Sequence, residues 1–376
     1  MQAVQLEKPP NGAKKGERHI VAVRTVPLPA VREDMVLVRI LAAGMNRRDE
    51  WAALGLYPGL VFKDSTLGCD GCGVIVDPAT LQPTDNTQYL LTPTRGWAAD
   101  PAGAEAQLPG TPASVRRSEF GGQGFGLLGA SRQVCGVGTF ADYIAVDRTQ
   151  LVRAPKHLTA EQSAALPCAG VTAYRALFTR GAVTRGQNVL ITGIGGGVAL
   201  LAMQLALAAG ASVFVTGGSP QKVDRAVQMG ARGGALYSDE KWPEHIRAQL
   251  PGDRAWLDTA LDSAGGEIAE QSLRAGMRDG GRVVVVGMTS MVQTSFTMRE
   301  VLRNVNLLGS SVGSAREFAE FVAFVDEHRI VPVVDKVLPG LDHAEEGLAL
   351  LGDTKNRSGG KIVINVGSID VPMAKA

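Results

Sequence analysis

The chain is short of cysteine, of histidine and of any excess of charge, and each shortage closes off a class of function. Its four cysteines, Cys69, Cys72, Cys135 and Cys168, in 376 residues are too few for a disulfide framework, which fits a reducing compartment. It has 5 histidines, with no Ser-His-Asp spacing that would point to a hydrolase. Lys and Arg total 38 against 37 Asp and Glu, so no global field attracts nucleic acid or an anionic membrane, and neither is expected as a partner. The N-terminal MQAVQLEKPPNGAKK lacks the positive leader and apolar core of a signal peptide, so a cytoplasmic protein is expected. Residues 198–216 are almost continuously apolar, but Gly210 interrupts them. They read as a helix and a strand buried in an α/β sheet rather than as a membrane span.

Glycine, by contrast, is abundant, with 46 copies, and its placement over residues 188–222 is informative. The stretch NVLITGIGGGVALLAMQLALAAGASVFVTGGSPQK reads as a strand over 189–192, a glycine cluster, a helix over 198–209 ended by Gly210, and a second strand over 212–216. That order suits a dinucleotide. Gly193, Gly195, Gly196 and Gly197 allow a sharp turn and bring bare backbone to a pyrophosphate, whose charge meets the helix N-terminus. Ala199 stands where the third fingerprint glycine would be, a replacement the G/A form accepts.

An NAD-specific site usually places Asp or Glu at the end of the second strand, roughly 20 residues past the glycines. Here Gly217, Gly218 and Ser219 stand there instead. No carboxylate repels a 2′-phosphate, and Ser219, Lys222 and Arg225 can bind one. NADP(H) is the expected cofactor; the alternative is that Lys222 and Arg225 are only the solvated face of the next helix.

A chain of this length suits two domains. The first part is β-rich, with short runs at 36–42 (VLVRILA) and 73–76; residues 77–138 are irregular, rich in Pro, Gly, Thr and Ala. From about residue 159 helix and strand alternate, which implies right-handed crossovers and a parallel sheet. Helices are expected over 159–177, 222–229, 268–275, 298–303, 315–328 and 341–350, with strands over 255–260, 282–286, 305–308 and 361–366. Ligands bind at the carboxyl ends of such strands, so 262–265, Gly287-Met288-Thr289 and 309–314 should face the cofactor; the competing reading is that these glycines only make turns.

Together these segments resemble the medium-chain dehydrogenase/reductase superfamily over essentially the whole chain. They are most similar to its zinc-free quinone-oxidoreductase branch, which includes zinc-type alcohol-dehydrogenase-like proteins. The resemblance is carried by AAGMNRRDEWAALGLYPG (42–59), LGCDGCGVI (67–75), GTFADYIAV (138–146), ALPCAGVTAYRAL (165–177), the glycine cluster, GGRVVVVGM (280–288) and LLGSSVGSAREF (307–318). It implies an α/β fold: a Rossmann doubly wound parallel sheet over 161–314 beside a GroES-like β-barrel substrate domain over 1–160, completed by 315–376. It also adds Thr172, Val198, Gly287, Met288, Ser310 and Gly313 to the cofactor contacts, and it implies a homodimer paired along the edge strand 305–308.

Zinc members of the superfamily hold a catalytic ion with Cys, His and Cys, which leave one open position for the substrate oxygen. The matching residues here are Asn46, Cys69 and Cys168, so one ligand type of three is kept and no metal is expected. Cys69 and Cys72 form C-x-x-C without a second pair, and a four-cysteine structural lobe would fall where Cys135 stands alone. A zinc held by Cys69, Cys168 and Asp70 stays open as an alternative. Without a metal the enzyme needs a substrate that accepts hydride with little Lewis-acid help, a quinone or an α,β-unsaturated carbonyl. Asn46 and Tyr57 are the expected polar groups at the substrate, with Asp49 orienting them. Tyr57 has an alternative reading as an apolar wall with a wet tip. Two other functions stay open: a zinc alcohol dehydrogenase with unusual ligands, and a non-catalytic NADPH-binding scaffold or sensor.

Overall fold

The computed structural model describes residues 1–367 except 10, 11, 13–15, 58, 59, 61, 63, 106–124, 131–133, 135, 292, 354 and 355; Cys135 and much of the irregular segment lie outside it. A hairpin-like pair, β1 (Gln2–Glu7) and β2 (Ile20–Thr25), precedes a seven-stranded mixed sheet. That sheet is begun by β3 (Met35–Gly44), β4 (Asp70–Val76) and β5 (Pro83–Leu91). A two-stranded piece, β6 (Thr94–Arg95) with β7 (Gly126–Leu127), follows, and then β8 (Tyr143–Asp147) and β9 (Leu151–Arg153) rejoin the large sheet. Strand β4 is buried along its whole length, which fits its place between β3 and β5. Strand β5 lay hidden in the irregular stretch because PTDNTQYLL is exposed or half-buried except at its last two residues, so it carries no alternating apolar signal.

The second sheet holds β10 (Asn188–Ile191), β11 (Ser212–Gly217), β12 (Gly233–Leu236), β13 (Leu257–Asp262), β14 (Met277–Val285) and β15 (Asn306–Gly309). All pairs are parallel, in the order β12-β11-β10-β13-β14-β15. This is the Rossmann order, with its switch point between β10 and β13. β10 and β13 are buried throughout, as parallel strands covered on both faces are. β14 starts earlier than the expected 282: it runs from Met277 through Gly280-Gly281, and the register with β13 shifts after Leu257. The glycine pair therefore lies inside the strand, at an irregularity, rather than before it.

The tail crosses back. β16 (Val334–Leu338) and β17 (Lys361–Asn365) are the last strands, and β17 pairs antiparallel with β3, placing Val363 opposite Gly44. The helix Ala315–Glu327, capped by a Ser314/Glu317 box, instead packs on the helix Pro167–Tyr174 with Phe318 and Phe321 fully buried.

One difference from the sequence expectation shapes the site. Residues 159–177 form three pieces, Ala160–Ala164, Pro167–Tyr174 and a π-helical turn over Arg175–Arg180. Pro167 cannot donate to the preceding turn, so one helix ends and a new one starts. The restart leaves the Cys168 amide without a helical acceptor, and it donates to Asp70 Oδ1 at 2.8 Å. Among the described residues no helix is long and apolar enough to cross a membrane.

Candidate active site

Asp70, the first residue of β4, is fully buried, and four groups converge on its carboxylate. Lys361 Nζ donates to Oδ2 at 2.9 Å, Asn46 Nδ2 to Oδ2 at 2.9 Å, and the Cys168 amide to Oδ1. Cys69 Sγ lies 3.5 Å from Oδ1. Lys361 Nζ also donates to Asn46 Oδ1 at 2.6 Å, so a buried ammonium sits between a carboxylate and an amide. Burial opposes the lysine's charge, but the attraction and hydrogen bond of Asp70 together with the neighbouring sulfurs outweigh it and the ammonium's pKa is raised. Cys69 is pushed well above the usual thiol range by its hydrogen bond with Cys168 and by burial, and is therefore a protonated thiol at neutral pH. Cys72 is not part of this group; burial lifts it to about 12.

Asn46 caps the helix Arg47–Ala53, and Asp49 closes the capping box by accepting from the Asn46 amide at 2.8 Å. That bond fixes the Asn46 backbone and aims its side chain at Asp70. Asp49 is fully buried. Desolvation lifts it to about 6, against the pull of Arg48 and the Asn46 amide. Tyr57 lies just beyond this helix, half-buried, with the Arg48 guanidinium over its ring at 4.5 Å.

The tail strand links this group to the glycine turn. Gly360 donates to Gly195 O at 2.9 Å, and Lys361 runs alongside Gly197, where a Cβ would lie 2.7 Å from Lys361 Cδ. Gly193 and Gly195 have φ of +68° and +135°, conformations a side chain resists. A Cβ on Gly193 or Gly196 would meet no clash, only a van der Waals neighbour 3.7 Å away. That is the cradle a pyrophosphate needs at the N-terminus of the helix Gly197–Ala208, in which Val198 occupies the first turn.

At the far end of β11, Ser219 caps the helix Pro220–Gln228 and accepts from the Lys222 amide at 3.4 Å. The Lys222 stem turns back over the glycine loop: a Cβ on Gly195 would lie 3.1 Å from Lys222 Cδ. Beside Gly217 and Gly218 stands Tyr237, 56% exposed, with its hydroxyl in the space that a Gly218 Cβ would fill.

Gly287, Met288 and Ser310 line a cavity of ≈ 430 Å³ with Trp97, Phe125 and Arg180. Ser310 Oγ is buried there without a hydrogen-bond partner. Thr172 and Gly313 are placed differently from these. The Thr172 hydroxyl donates to Cys168 O at 2.7 Å, and Gly313 is packed against Val171, with its carbonyl accepting from Thr94.

The zinc-type alcohol dehydrogenase-like protein YogA of Leptosphaeria maculans is 35% identical over 367 residues, covering 95% of this chain and 98% of the relative. This chain is a medium-chain dehydrogenase/reductase. Within that superfamily it belongs with the zinc-type alcohol dehydrogenase-like proteins and is an oxidoreductase. A family model for zinc-binding dehydrogenases matches residues 197–327, a span that contains none of Asn46, Cys69, Asp70 and Cys168. A solved NAD-dependent alcohol dehydrogenase superposes with a TM-score of 0.79 at 29% identity, covering 98% of this chain and 100% of that one. The acryloyl-coenzyme A reductase of Sulfurisphaera tokodaii is 26% identical, over 96% of this chain and 99% of its own.

Whether this dehydrogenase/reductase suits a zinc ion is decided by the donor set. The ligand atoms of Cys69, Asp70 and Cys168 do lie within 4.8 Å of one another. The carboxylate, however, is already engaged by three N–H donors, one of them an ammonium, and the Cys69 thiol holds its proton. A divalent ion would have to share the carboxylate with the Lys361 ammonium and take the proton from a buried thiol. Cys69, Asp70 and Cys168 are thus a poor donor set for zinc. Lys361 is the residue that sequence reasoning missed; its one signal was a lysine at the head of the apolar run 362–364. Tyr237 was missed as well, because it lies on a different strand end from the Gly217–Ser219 turn that it covers.

Proposed function

We propose that this protein is an NADPH-dependent reductase that delivers hydride to a quinone or an α,β-unsaturated carbonyl without a metal. The observation that carries this reading is the Lys361 ammonium, held 2.9 Å from Asp70 and 2.6 Å from Asn46. A cation is already paired with the carboxylate that a metal would have to share. Substrates that pass the negative charge of hydride addition to a conjugated oxygen need only hydrogen-bond donors there. The acryloyl-CoA reductase relative by name reduces an α,β-unsaturated thioester, which supports the same choice.

The bound nicotinamide supplies the hydride. The chain's own residues hold and orient. The glycine turn takes the pyrophosphate; Ser219, Lys222 and Tyr237 surround the place where a 2′-phosphate lies, with no carboxylate at the end of β11 to oppose it. Ser310 Oγ, buried and unpartnered, is a donor for the nicotinamide end. Asn46 faces the substrate oxygen through the weaker of its N–H contacts, the one to Cys69 Sγ at 3.4 Å. Tyr57 offers its hydroxyl from the opposite side, and Asp49 holds Asn46 in place. A homodimer is part of the proposal, since β15 is an edge of its sheet among the described residues and Met298 and Leu302 beside it are 67% and 74% exposed; such a patch marks an interface.

Stopped-flow oxidation of NADPH with a panel of quinones and enones tests this. Tyr57→Phe and Asn46→Ala should each slow the hydride step, and unchanged rates in both would remove them from the site. Lys222→Ala should weaken NADPH far more than NADH; equal weakening would take Lys222 out of the 2′-phosphate site.

A further inference from the structure

Arg48 is buried beside the substrate groups without joining the cluster around Asp70. It is 7% exposed, and burying a guanidinium is costly unless its donors are met and its charge serves a purpose. Nη1 donates to Leu128 O at 2.8 Å and Nη2 to Gly129 O at 2.9 Å. Nη1 also lies 3.3 Å from Asp49 Oδ1, while Nε is buried with no partner. The guanidinium carbon lies over the Tyr57 ring, 4.5 Å from its centroid. The pocket is shaped for it: a Cβ on Gly129, whose φ is +89°, would lie 2.9 Å from Nη1. Against the cost of burial, the Asp49 carboxylate and a side-chain hydrogen bond with Tyr57 keep the guanidinium charged.

Two carbonyls and a carboxylate therefore fix the orientation of a cation that lies over one aromatic ring. A guanidinium cannot lose its proton in a protein, so the charge beside Tyr57 is permanent. Cation–π contact of this kind pins the ring plane as well as stabilising it.

Building on the reductase reading above, we propose that Arg48 is a positioning residue for the reaction. It holds the Tyr57 ring so that the hydroxyl meets the substrate oxygen, and its fixed positive charge stabilises the negative charge arriving there. The proton and hydrogen bond come from Tyr57; Arg48 acts through it and does not touch the substrate. A preorganised charge of this sort needs no rearrangement when the transition state forms.

The test is a double-mutant cycle on Arg48→Met and Tyr57→Phe, read as kcat, KM and NADPH Kd, with whichever enone or quinone the wild type reduces fastest. Arg48→Met should lower kcat by up to the roughly 100- to 1000-fold that loss of a direct oxyanion donor costs, and leave NADPH Kd unchanged. In the Tyr57→Phe background the same change should cost little more, because the two residues act as a unit. Wild-type kcat in Arg48→Met, or losses that multiply independently in the double variant, would overturn the proposal. Should the Met variant not fold, Arg48→Lys and Arg48→Gln decide it: each keeps a donor, and only Lys keeps the charge. Partial recovery in Lys with a low Gln rate upholds the role, and equal rates overturn it. A wild type that reduces no panel compound refutes the reductase reading and this role together, whereas wild-type turnover that Arg48→Met leaves intact refutes the role of Arg48 alone.

Discussion

Replacing Asp49 by asparagine removes a carboxyl group that folding places in a poor setting for its charge. The group is fully buried, and its pKa rises from 3.8 to about 6 in the folded protein, chiefly through desolvation and against the attraction of Arg48. A raised carboxyl stabilises the fold while it is protonated in both states, below about pH 4. As the pH climbs from about 4 toward 6 the unfolded chain gives up this proton and the folded one keeps it, so stability falls. Above about pH 6 both are ionised and the loss stops growing. A shift of about 2 units corresponds to about 3 kcal/mol. The asparagine side chain of the variant keeps an acceptor for the Asn46 amide and has no proton to lose. The stability of Asp49→Asn relative to wild type should therefore rise by about 3 kcal/mol between about pH 4 and pH 7, measured by urea unfolding at each pH. A difference that stays constant across that range, or one that shrinks as the pH rises, would refute this reading of the Asp49 environment.

Gly196→Val should abolish measurable NADPH binding in calorimetry without lowering Tm. The backbone there is extended, with φ of −77° and ψ of 149°, which valine accepts, and the new side chain enters the space reserved for phosphate; retained binding would contradict the placement. Met298→Glu combined with Leu302→Glu should convert a dimer into a monomer in sedimentation while leaving each chain folded, because both side chains are exposed in the single chain; an unchanged sedimentation coefficient would move the interface elsewhere.

The cofactor half of the molecule was readable because its signals are local. The glycine turn, the apolar helix Gly197–Ala208 and the uniformly buried strands each announce themselves within about 20 residues. The expected glycine turn and the helix and strand that follow it lie where the structure puts them, whereas β14 starts early and Pro167 restarts a helix. The polar half was less readable because it is assembled from distance. Asn46, Asp70, Cys168 and Lys361 come from four elements, and the lysine is 291 residues from the carboxylate it meets. Spacing along the chain holds no trace of such a contact. The sequence did show that the zinc ligands were altered at Asn46 and Cys69; that a lysine stands among them became visible when β17 was seen pairing with β3. Arg48 was passed over for a related reason. An arginine in the first turn of a short helix reads as surface, and the carbonyls of Leu128 and Gly129 that help draw it inside come from a segment without periodicity.

The claim on which the rest depends is that a lysine ammonium, and no metal, provides the positive pole of this site. It is tested most directly by measuring zinc by elemental analysis and NADPH-dependent turnover of an enone or quinone on the same purified protein, before and after chelation. The expected result is substoichiometric zinc and turnover that chelation leaves unchanged. Stoichiometric zinc whose removal abolishes turnover, and whose return restores it, would contradict the claim.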